Sequence, residues 1–170
     1  MDRLLKDSWH QSQRGYFAGS LYNVMLYNPN VWLLLGDLGY GMFDKIRESF
    51  PERVLNCGAA EQSMLGMAVG LAQEGKIPFV YSITSFLLYR GFETLRTYIN
   101  YEGIPVKLIG SGRNRDYEID GVSHWSEDAR LLLSVLGGIN TYWPKDKEEV
   151  PELVEKITVS GFPDFLSLVR

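Results

Sequence analysis

The chain has 170 residues, 45% of them hydrophobic and 22% charged, which suits one domain large enough to bury a core. Its formal net charge of −4 argues against general nucleic-acid binding, which needs basic surface to displace phosphate counterions. No apolar run reaches the roughly 18 residues of a membrane span, and the opening MDRLLKDSWHQSQRG is too charged, and its apolar stretch too short, for a secretory leader.

In chain order, residues 12–28 place apolar side chains at Tyr16, Phe17, Leu21, Val24, Met25 and Leu26. That spacing predicts a helix, which Asn28, Pro29 and Asn30 stop. VWLLLG (31–36) is a continuous apolar run ended by Gly-Asp, as in a fully buried parallel strand. A short amphipathic helix over 41–50 stops at Pro51, and 53–58 reads as a short strand. Within it Cys57, the single cysteine, cannot close an internal disulfide and lacks the neighbours of a zinc site. It reads as a small buried residue of a cytoplasmic protein.

Residues 59–73 predict a helix with Glu61 at its head, and 77–82 a strand. Residues 85–100 predict a helix with Phe86, Tyr89, Phe92, Leu95 and Tyr98 spaced by three. PVKLIGSG (105–112) reads as a strand running into a Gly-Ser-Gly turn, and 113–125 as a polar loop. A helix over 126–137 opens on Ser126, Glu127 and Asp128, a favourable N-terminus. A strand (139–143), an amphipathic helix (146–159) and a last strand (165–169) complete the chain.

Strand and helix alternate throughout, so the expected fold is a three-layer α/β/α domain with a mostly parallel central sheet. In such sheets ligands sit beyond the carboxyl ends of the strands. That rule selects 36–41, 56–61, 82–86 and 110–124. GDLGYG (36–41) lacks the GxGxxG spacing, and neither a Walker loop nor G-x-S-x-G occurs. Asp37 is therefore either a turn residue or a ligand. The histidines are His10, in a polar segment that reads as surface, and His124, which is either structural or a proton carrier. Glu61 gains about 0.3–1 kcal/mol from the helix dipole, or else it is a carboxylate held away from water for chemistry.

Several motifs in order bear on that choice. They are LLGDLGYG…FPERVLNCG, NCGAAEQSMLG, the aromatic segment ITSFLLYRGFE, Asp120-Gly121-Val122-Ser123-His124, Trp143-Pro144-Lys145-Asp146 and the terminal FPDFLSLVR. Over roughly residues 12–170 this series resembles the pyrimidine-binding (PYR) domain of transketolase-type thiamine diphosphate enzymes, including the deoxyxylulose-phosphate synthase branch. The resemblance implies that Glu61 hydrogen-bonds N1′ of the cofactor aminopyrimidine and favours the tautomer that activates the thiazolium. A carboxylate among Ala, Met and Gly can share a proton in that way. The resemblance further implies that Phe86 stacks on the pyrimidine, with Ile83 and Tyr89 lining the same pocket. Plain core packing is the competing reading of Phe86 and Tyr89. Asp37 would lie near the cofactor, and Asp120 and His124 near the substrate.

The family's diphosphate-binding (PP) domain carries a Gly-Asp-Gly motif and a downstream asparagine that hold magnesium, and no Gly-Asp-Gly occurs here. The expectation is therefore a single PYR-type domain over 1–170, without the PP and C-terminal domains and without a metal site of its own. A separate PP subunit would share thiamine diphosphate with it and hold Mg2+. PYR domains pair through apolar faces, which the helices at 59–73 and 85–100 could provide. The assembly would be an α2β2 heterotetramer or a homodimer, with a sugar or 2-oxoacid as substrate.

The loop RNRDYE (113–118) departs from the family's glycine-rich stretch. Arg113 and Arg115 either read a phosphate or carboxylate on the substrate or belong to a solvated loop. The expected function is ketol transfer or a related carboligation. A non-catalytic PYR-like scaffold and a flavodoxin-like ligand module are the alternatives.

Overall fold

In the computed structural model, residues 10–170 are described; the expectation that the chain opens without a leader rests mainly on residues outside them. Helix α1 spans Gln13–Tyr27 and is capped by Ser12, whose Oγ accepts from the Gly15 amide. Strand β1 is Val31–Leu35, α2 Asp44–Ser49, β2 Val54–Asn56, α3 Glu61–Gln73 and β3 Ile77–Ile83. A helical segment over 86–101, α4, is followed by β4 (Lys107–Ser111), α5 (Ala129–Leu136), β5 (Asn140–Tyr142), α6 (Val150–Val159) and β6 (Asp164–Leu168). The six strands form one sheet in the order β2-β1-β3-β4-β6-β5, and every pairing is parallel. The expected mostly parallel α/β/α sheet is thus wholly parallel.

Strand periodicity of two divides the core into two layers. Leu33, Leu35, Phe79, Tyr81, Ile109 and Leu166 face α1, α2 and α6, where they meet Phe17, Leu21, Ile46 and Val154. Leu34, Val80, Leu108 and Phe165 face the other way, onto Met64 and Leu65 of α3, Leu95 and Ile99 of α4 and Leu133 of α5. Strands buried on both faces have no reason to alternate polar and apolar residues, hence the unbroken run VWLLL.

Where β4 and β6 begin, the buried Lys107 Nζ donates to Asp164 Oδ2 (2.9 Å) and to the carbonyls of Ser160 (2.8 Å) and Phe162 (2.7 Å). Burial pushes the Lys107 ammonium down, and Asp164 opposes that shift. The pair locks the end of the sheet away from the candidate site.

Two elements differ from expectation. The segment over 86–101 is largely π-helical, over Phe86–Arg90 and Leu95–Tyr101, with one α-turn at Phe92–Thr94 between. Its buried positions are Leu87, Leu88, Gly91, Thr94, Leu95 and Ile99, so of the three-spaced series only Leu95 is buried, because a wider turn rotates the core face. Helix α5 starts at Ala129 rather than at 126. Ser126 is buried there, with its Oγ directed at the carbonyls of Gly112 (3.4 Å) and Asn114 (3.5 Å), so its hydroxyl caps no helix.

Candidate functional site

The four segments selected by the strand-end rule all follow the carboxyl ends of β1, β2, β3 and β4. Glu61 is the first residue of α3, with no side-chain cap before it, and is only 1% exposed. Ser82, near the end of β3, donates its hydroxyl to Glu61 Oε1 at 2.8 Å. Arg90 Nη1 donates to Oε2 at 2.9 Å. Two glycines admit this geometry. A Cβ on Gly36 would stand 3.0 Å from Ser82 Oγ and 3.2 Å from Glu61 Oε1. A Cβ on Gly91 would collide with Leu65, so Gly91 lets the start of α4 lie against α3.

The Arg90 guanidinium lies 3.6 Å from the centroid of the Phe86 ring, a cation–π contact. On Phe86 the His124 ring packs edge-on, with centroids 4.7 Å apart at 62°, and His124 Nδ1 is 3.1 Å from Ser123 Oγ. Ser85 Oγ donates to the Ser123 carbonyl (2.7 Å) and Thr84 Oγ1 to that of Gly112 (2.6 Å). The end of β3 thereby fixes the loop that carries His124. Ser85, Phe86, Tyr89, Arg90, Ser123 and Asp128 line a cavity of about 560 Å³. Tyr89 is 39% exposed; burial first, then the Asp128 carboxylate, push its phenol well above the usual range. Neither Phe86 nor Tyr89 is a core residue.

A second cavity, of about 650 Å³, is lined by Arg14, Lys45, Tyr81, Ile83, Tyr117 and the loop 38–42. Ile83 therefore opens onto this space, whereas Phe86 and Tyr89 line the first. Arg14 Nη1 donates to the Tyr117 hydroxyl at 3.3 Å, and its Nε is buried without a hydrogen-bond partner. Tyr117 Oη is also 2.9 Å from Ser111 Oγ. Burial raises the Tyr81 phenol to about 12. Arg14 and Lys45 were not singled out from the sequence, although Arg14 carried a signal. A cation in the first turn of a helix opposes the helix dipole, so some other interaction must favour it there.

The remaining candidates are spread around this core. Asp37 has a left-handed backbone (φ 56°). Its Oδ1 accepts from Asn56 Nδ2 at 3.0 Å and from the Tyr40 hydroxyl, and these bonds hold its carboxyl below the usual value. Asp120 is exposed on the 3-10 turn Glu118–Asp120. Arg115 pairs with Glu127 (3.0 Å) and Glu118 (3.5 Å) on the surface. Arg113 donates from Nε to Ser167 Oγ (3.1 Å), from Nη2 to the Ser167 carbonyl (2.7 Å) and from Nη1 to the Pro144 carbonyl (3.1 Å). No helix among the described residues is long and apolar enough to cross a membrane.

A buried glutamate at the head of α3, an aromatic at the start of α4 and a histidine after β4 thus converge on one sheet edge, and comparisons with known proteins identify the family of the domain. The family described as the transketolase pyrimidine binding domain matches residues 11–169. The chain is 30% identical over 126 residues to the 6-deoxy-6-sulfo-D-fructose transketolase subunit SqwH of Clostridium sp. (strain MSTE9), covering 74% of this chain and 39% of that protein. It is 28% identical over 167 residues to 1-deoxy-D-xylulose-5-phosphate synthase of Dehalococcoides mccartyi (strain CBDB1), covering 98% of this chain and 26% of that one. Among solved structures, a split gene transketolase described as an inactive beta4 tetramer superposes with a TM-score of 0.83 at 29% identity, over 94% of this chain and 51% of that one. The chain therefore spans between about a quarter and a half of the length of these relatives. With the match running over residues 11–169, and so through every strand of the sheet, this chain belongs to the transketolase pyrimidine-binding domain family.

Proposed function

We propose that this chain forms the pyrimidine-binding half of a thiamine diphosphate-dependent transketolase-type site, acting in two-carbon ketol transfer or a related carboligation. The carrying observation is Glu61, a fully buried carboxylate at the carboxyl edge of the sheet, oriented by Ser82 and joined through Arg90 to the Phe86 ring. The donor set fits an aminopyrimidine: an acceptor for a ring N–H, an aromatic face, and a glycine at 36 where a side chain would crowd both Ser82 and Glu61.

When bound, the cofactor supplies the electron sink that holds the transferred carbon fragment. In this reading Glu61 holds the proton at the ring nitrogen, Phe86 supports the ring, and Tyr89 closes its outer side. His124, fixed through Ser123, moves a proton at a substrate oxygen, and Asp120 stands on the same loop. Asp37 presents a negative charge at the end of β1, and Ile83 walls the neighbouring cavity. Arg14 and Lys45 make that cavity cationic, which suits a sugar or 2-oxoacid bearing an anionic group. The sulfo and phosphate groups in the names of the relatives support that substrate class. Arg113 directs three of its five N–H donors to Ser167 and Pro144, so we assign it to holding the loop, and Arg115 to the surface.

Magnesium and the diphosphate would be held by a PP-domain subunit. A relative named as a transketolase subunit and another named as a split-gene transketolase support a separate chain as its carrier. The beta4 tetramer of that second protein supports self-association, for which Met67 and Tyr98 offer exposed apolar surface on α3 and α4. The reading is tested by affinity purification of the tagged chain from its host, followed by reconstitution with thiamine diphosphate and magnesium. A co-purifying protein with the Gly-Asp-Gly motif, and ketol transfer by the pair, are expected. A chain that recovers only partners lacking that motif, and that shows no cofactor-dependent turnover, would move the assignment to a scaffold.

A further inference from the structure

Resting on the reading of Glu61 and Phe86 as the pyrimidine slot, we infer that Arg90 is a built-in competitor for that slot. Its guanidinium makes both of the contacts a flat aminopyrimidine would make, and cofactor loading requires its release.

The geometry is specific. Arg90 Nη1 donates to Glu61 Oε2 at 2.9 Å while its Cζ lies 3.6 Å from the Phe86 ring centroid. A guanidinium and an aminopyrimidine carrying its proton at N1′ both offer a planar N–H donor to a carboxylate and a π-face that can lie on an aromatic ring. The separation of 3.6 Å leaves no room for a second flat group between Phe86 and Arg90. Ring and guanidinium therefore exclude each other.

The two members of the pair differ in freedom. The Glu61 side chain has no exposed surface, whereas that of Arg90 is 43% exposed. Glu61 is also held by Ser82, so the mobile partner is Arg90. Its landing place adjoins it. The cavity of about 560 Å³ that Arg90 lines is bordered by Asp128, whose carboxylate can receive the displaced guanidinium, and by Glu127, which already pairs with Arg115. The arrangement depends on the π-helical turn Phe86–Arg90, which sets Arg90 back over Phe86. Such turns are rare and concentrate at functional sites.

A competitor of this kind lowers apparent affinity by the fraction of time the slot is closed. A half-exposed ion pair together with one cation–π contact corresponds to a factor of about ten. The full-length chain is titrated with 4-amino-2,5-dimethylpyrimidine by ligand-observed NMR, which needs only this half of the site, in wild type, Arg90→Ala and Glu61→Gln. The expected result is about tenfold tighter binding in Arg90→Ala and loss of binding in Glu61→Gln. A thermal double-mutant cycle over the same two positions should show coupling in the empty chain, which would confirm the contact independently of any ligand. Equal binding by wild type and Arg90→Ala, with binding still lost in Glu61→Gln, overturns the competitor and leaves the pyrimidine slot standing. Additive melting shifts overturn the competitor as well. Absence of binding to every variant, Arg90→Ala included, overturns both the competitor and the slot.

Discussion

Ser82 donates its hydroxyl to Glu61 Oε1 at 2.8 Å, so the first turn of α3 is tied to β3 by the carboxylate rather than by a capping side chain. Glu61 is thereby fixed in orientation as well as in position. Glu61→Gln keeps the shape and can still bond to Ser82, yet it cannot hold a proton at a ring nitrogen. In the proposed complex with a diphosphate-binding subunit, kcat is expected to fall by about a hundredfold or more, the usual range for a lost acid–base group. Circular dichroism should be unchanged. Turnover within a few fold of wild type would remove Glu61 from the chemistry.

Gly36, directly after β1, lies close against this carboxylate. Its backbone needs no left-handed conformation, and the requirement is space alone. In Gly36→Ala the new methyl meets Ser82 Oγ at 3.0 Å and Glu61 Oε1 at 3.2 Å, tighter than ordinary contact, so one of the two must yield. The expected outcome is a destabilisation of about 1–3 kcal/mol, the common cost of overpacking, together with weaker binding of thiamine diphosphate. Chemical denaturation and cofactor titration measure the two effects separately. A variant with normal stability and normal binding would show that the carboxylate has slack.

Arg113 separates the two readings of the loop 113–118. Its three bonds to Ser167 and Pro144 join the exit of β4 to the end of β6 and to the segment before α6. Arg113→Ala leaves two carbonyls without these charged donors, at a cost of about 2 kcal/mol, or roughly 4–8 °C in melting temperature for a chain of this size. KM for the substrate is expected to stay the same. A raised KM with an unchanged melting temperature would return Arg113 to substrate recognition. Arg115→Ala, which loses only surface pairs, should shift the melting temperature by about a degree or two at most.

These cases show what a sequence exposes to inspection. The strands were legible because unbroken apolar runs such as VWLLL are stable only when both faces are covered. The buried carboxylate was legible because Ala, Met and Gly leave Glu61 little polar company. The π-turns were not, since aromatics spaced by three fit an ordinary helix and the shift to Leu87, Leu88 and Gly91 follows from packing against α3. Arg90 was invisible for the same reason: an arginine on a helix normally reads as solvated. Ser126 looked like a cap because nothing local reveals that its hydroxyl serves the carbonyls of Gly112 and Asn114.

Asp37 offers a test by titration. Its carboxyl lies below the ordinary value of 3.8, chiefly because Asn56 Nδ2 donates to it and secondarily because the Tyr40 hydroxyl does. The same Asn56 accepts through Oδ1 from the amides of Asp37 and Gly58, which holds Asp37 in its left-handed backbone. A depressed folded value means that the contribution of this group to stability is present above about 3.8 and is lost as pH falls through the lower folded value. Between pH 5 and 8 Asp37 is therefore a fixed negative charge at the end of β1. Carboxyl NMR should place its midpoint below 3.8 in wild type, clearly higher in Asn56→Ala, and between the two in Tyr40→Phe. An Asn56→Ala midpoint equal to wild type would mean that the amide does not hold the anion, and the orientation of Asp37 would then need another cause.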